Sequence, residues 1–328
     1  MRGFSVPREA SEDTGEVLVD RTASGRERPW REKKLAALRV AGAYGVLGQA
    51  GKAARCRGCG TVLEFAECLV DGQKRLQRAN FCRERLCPMC AWRRSLKWAA
   101  EASVVLHQAA VEHAEWGWVM LTLTQRNVAG ERLPGEIGRL LRGWDRLTKR
   151  QEFSAVAGWL RTLEVTRNDR TGEWHPHIHV LLAVEPDYWA GRNYVSHARW
   201  VAVWREVLGL DYEPSVEVHR VRSRGPKDAL MAAAQEVAKY TVKDADLVGD
   251  GADVVEWVRV LDVALKGRRL LAWGGALRRI ARQVTVPEGE EDLVRIAGED
   301  HGPTCPVCGG PLRERVYRWI EATLQYVG

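Results

Sequence analysis

Trp174-His175-Pro176-His177-Ile178-His179-Val180-Leu181-Leu182 places three of the chain's eight histidines at alternate positions ahead of a β-branched and leucine run. In a strand, that alternation sends all three imidazoles to one face. Upstream, Trp159-Leu160-Arg161-Thr162-Leu163-Glu164-Val165-Thr166 reads as a second strand, and Asn168-Asp169-Arg170-Thr171-Gly172 between them is dense in turn formers. The pair is therefore a hairpin. With the loop at Asp169 to Gly172, antiparallel register sets Glu164 opposite His177 and Thr162 opposite His179. Two imidazoles and a carboxylate on one face suit a divalent cation with open positions, such as Mn²⁺, Mg²⁺, Fe²⁺ or Zn²⁺. The alternative is a polar strand face closed by histidines that bind nothing, and a slip of one residue would turn Glu164 away.

A chain of 328 residues has room for about two domains and enough apolar content for a core. Its net charge of +7 favours an acidic partner such as nucleic acid. The start, Met1-Arg2-Gly3-Phe4-Ser5-Val6-Pro7-Arg8, has no apolar segment behind its charge, and no run of apolar residues is long enough to span a bilayer. No membrane association is expected, and the expected location is the cytoplasm. In that reducing compartment eight cysteines point to metal before disulfides.

Residues 1–54 read as a basic, largely disordered arm with a short helix near Trp30 to Val40. Residues 55–98 form a cysteine-rich module. Cys56-x-x-Cys59 and Cys87-Pro88-Met89-Cys90 are two knuckles that fit one tetrahedral thiolate zinc site, although Cys82, just ahead of Cys87, can replace Cys56. So small a module buries little apolar surface, and Zn²⁺ would supply much of its folding free energy. Arg83, Arg85, Arg93, Arg94 and Lys97 crowd the second knuckle. They are candidates to contact DNA phosphates from a zinc-held surface; the bland reading is a purely structural zinc.

Residues 99–250 alternate between periods. Ser95 to Glu115 is helical in character, Trp118 to Thr124 reads as a strand, and Pro134 to Arg150 repeats Ile137, Leu140, Leu141, Trp144 and Leu147 at helical spacing. After the hairpin come a helix over Ala198 to Leu208, an edge or final strand over Val216 to Val221, and a helix over Asp228 to Asp244. On that last helix Glu236 and Tyr240 share one face, as do Lys239 and Lys243. Residues 251–328 hold a further helical stretch, an acidic run and a third knuckle, Cys305-Pro306-Val307-Cys308. That knuckle either completes a second zinc site with two of the N-terminal cysteines or binds metal weakly.

Three motifs stand in order: Leu121-Thr122-Leu123-Thr124-Gln125-Arg126-Asn127, then His175 to Leu182, then Glu236-Val237-Ala238-Lys239-Tyr240-Thr241-Val242-Lys243. Together with Phe81 to Arg94 and Arg269 to Gly275, this set resembles the rolling-circle plasmid replication initiators, the Rep proteins of the HUH endonuclease superfamily, in the branch typical of small Gram-positive plasmids. The resemblance covers roughly residues 55–275. It implies an α+β fold: an HUH nuclease domain with a central antiparallel sheet flanked by helices, joined here to the N-terminal cysteine-rich zinc module.

By the same resemblance His177 and His179 are the metal-binding pair, Tyr240 is the nucleophile, and Glu236 activates water at termination. His175 is a neighbour that orients or substitutes a ligand. The motif leaves the third metal ligand open, and Glu164 comes from the hairpin register alone. Lys239 or Lys243 is expected to assist the phenol and Mn²⁺ or Mg²⁺ to occupy the active site, and Trp174 or Trp189 is a candidate to stack on extruded bases, with core packing the expected use of most of the tryptophans. The implied partners are single-stranded or cruciform plasmid origin DNA, a host helicase and a DNA polymerase. Competing readings are an HUH transposase or relaxase, and a zinc-ribbon nucleic-acid-binding protein without catalysis.

Overall fold

The computed structural model describes residues 15–22, 24–189, 193–221, 251–284, 304–305 and 307–328. Its strands, in chain order, are β1 (Val62–Cys68), β2 (Lys74–Ala79), β3 (Gly117–Thr124), β4 (Val156–Arg167), β5 (Trp174–Val184), β6 (Val216–Arg220), β7 (Leu271–Gly274), β8 (Leu312–Ile320) and β9 (Gln325–Val327). Helices α1 (Trp30–Val46), α2 (Ala50–Gly58), α3 (Pro88–Glu112), α4 (Leu133–Leu147) and α5 (His197–Leu208) are among those that accompany them. The chain divides into two units, Ala91–Val286 and a second made of Met1–Cys90 with Pro287–Gly328.

In the Ala91–Val286 unit five strands pair antiparallel in the order β6-β3-β5-β4-β7. The central place of β5 follows from its composition. Val180, Leu181, Leu182, Ala183 and Val184 are all fully buried, which demands cover on both faces of the strand. One face packs Leu160, Leu181 and Ala183 against Ala102, Val105, Leu106 and Ala109 of α3 and against Ala276, Leu277 and Ile280 of the helix Gly275–Gln283. On β4, Trp159 meets Trp144 of α4 edge-on at 5.0 Å. The less apolar β6 lies at the sheet edge, as its alternation predicts.

The β4–β5 turn explains the register that matters for function. Asn168 Oδ1 accepts hydrogen bonds from the backbone N–H groups of Arg170, at 2.9 Å, and Thr171, at 3.3 Å. Gly172 takes φ of +70°, a conformation glycine adopts without a Cβ penalty, and its N–H returns to Asn168 O at 2.8 Å. The turn thereby closes with Glu164 paired to His177 and Thr162 to His179.

The other unit is a four-stranded antiparallel sheet, β2-β1-β8-β9, with α1 and α2. Trp30 of α1 packs edge-on to Phe65 of β1 at 5.7 Å, and Phe65 in turn meets Tyr317 of β8 at 5.9 Å. This differs from the sequence expectation in two places. The helix expected near Trp30 to Val40 is present and runs on to Val46, where Trp30, Ala37, Val40, Ala41 and Tyr44 form its buried stripe, and residues 50–58 add a second helix in place of arm. The C-terminal strands join the cysteine-bearing sheet through the β1–β8 pairing, a long-range contact that local pattern does not encode. No helix among the described residues is long and apolar enough to cross a membrane.

Candidate metal centre

Glu164 on β4 and His177 and His179 on β5 converge as the register requires. Glu164 Oε2 lies 2.9 Å from His179 Nε2 and 3.3 Å from His177 Nε2. The second nitrogen of each ring is held as well. His177 Nδ1 donates to the His175 carbonyl oxygen at 3.1 Å, and His179 Nδ1 pairs with Thr122 Oγ1 at 3.1 Å. A carbonyl only accepts, so a neutral His177 carries its proton on Nδ1 and turns the Nε2 lone pair toward Glu164. Two acceptors at that separation need a proton or a cation between them. Burial would raise the Glu164 carboxyl, but the hydrogen bonds and charges of His177 and His179 outweigh it and hold the group well below the usual carboxylate range.

These three side chains therefore fit a divalent cation: two neutral nitrogen donors and one ionised oxygen donor on a rigid sheet, each ring oriented by a second partner. His175 is not in that group. Its Nδ1 meets Asn127 Oδ1 at 2.8 Å, and burial above all pushes its pKa down. Sequence reasoning did not assign Thr122 or Asn127 a role, although both stand in the Leu121 to Asn127 motif. Tyr240, Glu236, Lys239 and Lys243 lie outside the described residues.

The thiols of Cys59, Cys82, Cys87 and Cys90 form a second convergence. Cys82 stands in this group, the alternative that the spacing left open, while Cys56 lies beside it with side-chain hydrogen bonds to Cys82 and Cys87. The Cys90 sulfur is 3.5 Å from that of Cys59 and 3.7 Å from that of Cys82. Zn–S bonds near 2.3 Å in a tetrahedron imply sulfurs about 3.8 Å apart, so the cluster fits zinc. The turn at Arg83, with φ of +61°, lets the Arg83 N–H reach Cys90 Sγ at 3.3 Å, and the Cys82 N–H reaches Cys59 Sγ at 3.3 Å. Hydrogen bonds of this kind stabilise thiolates. Cys82 accepts side-chain hydrogen bonds from the thiols of Cys56, Cys59, Cys87 and Cys90 and is pushed down, whereas Cys59, beside Cys82, is pushed up.

A buried lysine completes this surrounding. Lys34 of α1 is fully buried and donates to the carbonyl oxygens of Arg57, at 2.6 Å, and Cys59, at 2.8 Å. Burial pushes its amine down, and the charges of Cys59, Cys87 and Cys82 act against that. Nothing in the sequence around Lys34 announced it, since the contact depends on how α1 packs.

The proposed DNA contacts divide. Arg83 is exposed, whereas Arg85, Arg93 and Lys97 are half-buried, with Arg93 set over the Trp92 ring at 5.5 Å. Arg94 is a correction: it is 8% exposed, because it falls on the inward side of α3, and it offers no free surface to a phosphate. Trp174 is likewise corrected. It is 1% exposed and bridged to Val128, so it is a core residue and not a stacking platform. Trp189 is half-buried with the Arg220 guanidinium over its ring at 4.2 Å. Cys305 and Cys308 gather with Cys68 and Asp71 in a separate group.

A family model described as "Replication protein" matches residues 73–317. A "Protein rep" from Bacillus amyloliquefaciens is 38% identical over 342 aligned positions, covering 97% of this chain and 99% of the relative. Others named "Protein rep" are 34% identical in Lactiplantibacillus plantarum, over 87% of this chain and 92% of the relative, and 36% identical in Streptococcus pneumoniae, over 86% and 88%. No solved structure matches the chain. A match over most of the sequence, spanning the β4–β5 hairpin and most of the cysteine clusters, means that the chain belongs to the replication protein family, the Rep proteins.

Proposed function

We infer that the protein is a plasmid rolling-circle replication initiator that nicks and rejoins single-stranded origin DNA. The observation that carries this reading is the Glu164–His177–His179 group, with both imidazole Nε2 atoms turned to one carboxylate oxygen. Mn²⁺ or Mg²⁺ held there would polarise a non-bridging oxygen of the scissile phosphate and offset the charge that builds on it. Two nitrogen donors favour Mn²⁺ of the two.

The chain's own residues then do the rest. A phenol with an ordinary pKa near 10 is a weak nucleophile at neutral pH, and Lys239 or Lys243 assists its ionisation. Tyr240 attacks phosphorus, the P–O3′ bond breaks, and the proton lost by the phenol is balanced by the one gained at the departing 3′ oxygen. The products are a 5′-phosphotyrosyl link and a 3′-OH for a DNA polymerase to extend, while a host helicase opens the duplex. Because the tyrosyl ester conserves the phosphodiester bond energy, reversed attack rejoins the strand. At the second cleavage Glu236 accepts a proton from water, the water oxygen attacks phosphorus as the P–O3′ bond breaks, and the departing 3′ oxygen gains a proton, which leaves a 5′-phosphate and a 3′-OH and releases the product. The four-thiol group would hold a structural zinc ion, and the surface around Arg83 beside it would contact the DNA backbone.

Labelled single-stranded origin DNA, incubated with the protein and Mn²⁺ and resolved on a denaturing gel, tests the reading. The expected result is a covalent adduct that disappears in Tyr240→Phe and in the His177→Ala/His179→Ala double variant. Glu236→Ala should keep the adduct and lose turnover. Adduct formation by Tyr240→Phe at the wild-type rate refutes the tyrosine mechanism; binding without any adduct in the wild type favours a non-catalytic DNA-binding protein.

A further inference from the structure

The proposed nicking mechanism does not use the third knuckle. Cys305 and Cys308 precede β8, and the pairing of β8 with β1 brings them to Cys68, the last residue of β1, and to Asp71 in the β1–β2 turn. One ligand atom from each of Cys68, Asp71, Cys305 and Cys308 lies within 4.8 Å of every other, and the sulfurs of Cys68 and Cys308 are 3.3 Å apart. We propose that these four residues bind a second zinc ion, which clips the C-terminal strand pair to the β1–β2 hairpin.

The local backbone is built for it. Cys305 N–H donates to Gly310 O at 2.6 Å, Gly309 N–H returns to Cys305 O at 2.7 Å, and Gly310 N–H points at Cys308 Sγ at 3.4 Å. This is a tight knuckle that aims both sulfurs to one side. Gly310 is required: a Cβ there would lie 2.5 Å from Val70 Cγ2 and 3.2 Å from Cys308 Sγ. Across the gap, Leu69 N–H donates to Pro311 O at 3.0 Å and Gly72 N–H to Cys68 O at 2.9 Å, which fixes the turn bearing Asp71. Gln73 N–H holds Asp71 Oδ1 at 2.9 Å, and the Asp71 carboxylate also takes a side-chain hydrogen bond from Cys68.

The donor set selects the ion. Three thiolates and one carboxylate make a tetrahedral, sulfur-rich site, which suits Zn²⁺ and disfavours Mg²⁺ or Ca²⁺. Seven of the eight cysteines are then accounted for, with Asp71 in the fourth position and Cys56 left over. Cys308 and Asp71 are exposed, whereas Cys59, Cys87 and Cys90 of the four-thiol group are fully buried. The second ion should therefore exchange first. A clip between residues 240 apart also closes a very long loop, where a cross-link restricts the unfolded chain most.

Zinc per folded full-length chain, measured by native mass spectrometry, tests the proposal. Cys305→Ser/Cys308→Ser and Cys68→Ser should each hold one ion fewer than wild type, and Asp71→Cys should keep the full number and lose it to a chelator more slowly. Unchanged zinc in either serine variant overturns the proposal. A measurement on the wild type guards against misfolded variants. Graded chelation followed by alkylation and peptide mapping should label Cys68, Cys305 and Cys308 together, before Cys59, Cys82, Cys87 and Cys90. Labelling of those three without any chelator, or their failure to label as a set, also overturns it.

Discussion

Thr122→Val is the substitution that isolates the geometry of the metal centre from its ligands. The hydroxyl of Thr122 holds His179 Nδ1 at 3.1 Å while Nε2 faces Glu164 at 2.9 Å, so valine keeps the shape of the half-buried side chain and removes only the group that sets the ring. A neutral hydrogen bond is worth about 1 kcal/mol, and loss of a partner behind a metal-binding histidine costs about 10- to 100-fold in affinity. The expected loss of Mn²⁺ affinity is about tenfold, or about 1.4 kcal/mol, with the melting curve close to wild type. Isothermal titration with Mn²⁺ reads the first quantity and circular dichroism the second. Thr122→Ser should restore binding. Asn127→Ala provides the contrast, since it removes a partner of His175, which lies outside the ligand group. Wild-type affinity in Thr122→Val, with a loss in Asn127→Ala, would refute the assignment of His179 and point to His175 instead.

The other expectations are simpler. Cys82→Ser should lose the ion of the four-thiol group while Cys56→Ser retains it, by zinc analysis; the reverse would return Cys56 to the ligand set. Burial pushes the Lys33 amine down to about 8, so below that pH both folded and unfolded chains carry the proton and the folded state bears the full cost of burying it. Between pH 8 and the unfolded value of 10.5 the unfolded chain binds more protons, and stability should rise with pH. Lys33→Met should stabilise the protein by roughly 1–3 kcal/mol at pH 7 and flatten that rise, as urea midpoints would show. Gly275→Ala should destabilise by about 2 kcal/mol or more in the same assay. The reason is that Gly275 has φ of +57° and an added Cβ would lie 2.4 Å from the Ala157 carbonyl oxygen.

The β4–β5 hairpin was legible because everything that defines it is local. Asn168 and Gly172 dictate the turn, the turn dictates the register, and the register joins Glu164 to His177 and His179. Side-chain alternation likewise marked β3 and β6, and helical periodicity marked α4 and α5. What spacing cannot decide is which of two equally placed groups closes a site. Cys56 and Cys82 are both compatible with a knuckle at Cys87 and Cys90, and the choice was made by the left-handed turn at Arg83 and the way β2 delivers the chain to it. Arg94 looked like part of a basic surface until the phase of α3 turned it inward.

The amino-acid sequence by itself determined the hairpin, its register and the chemistry offered by its histidines, since each follows from contacts between near neighbours in the chain; the α+β class was read from a family resemblance. Only the tertiary structure decided the strand order β6-β3-β5-β4-β7, the burial of Lys34 beside the thiols, and the meeting of Cys68 with Cys305 and Cys308. Those contacts join residues far apart along the chain. Their free energy comes from packing whole strands and helices together, and no local pattern carries a record of which partner will be met.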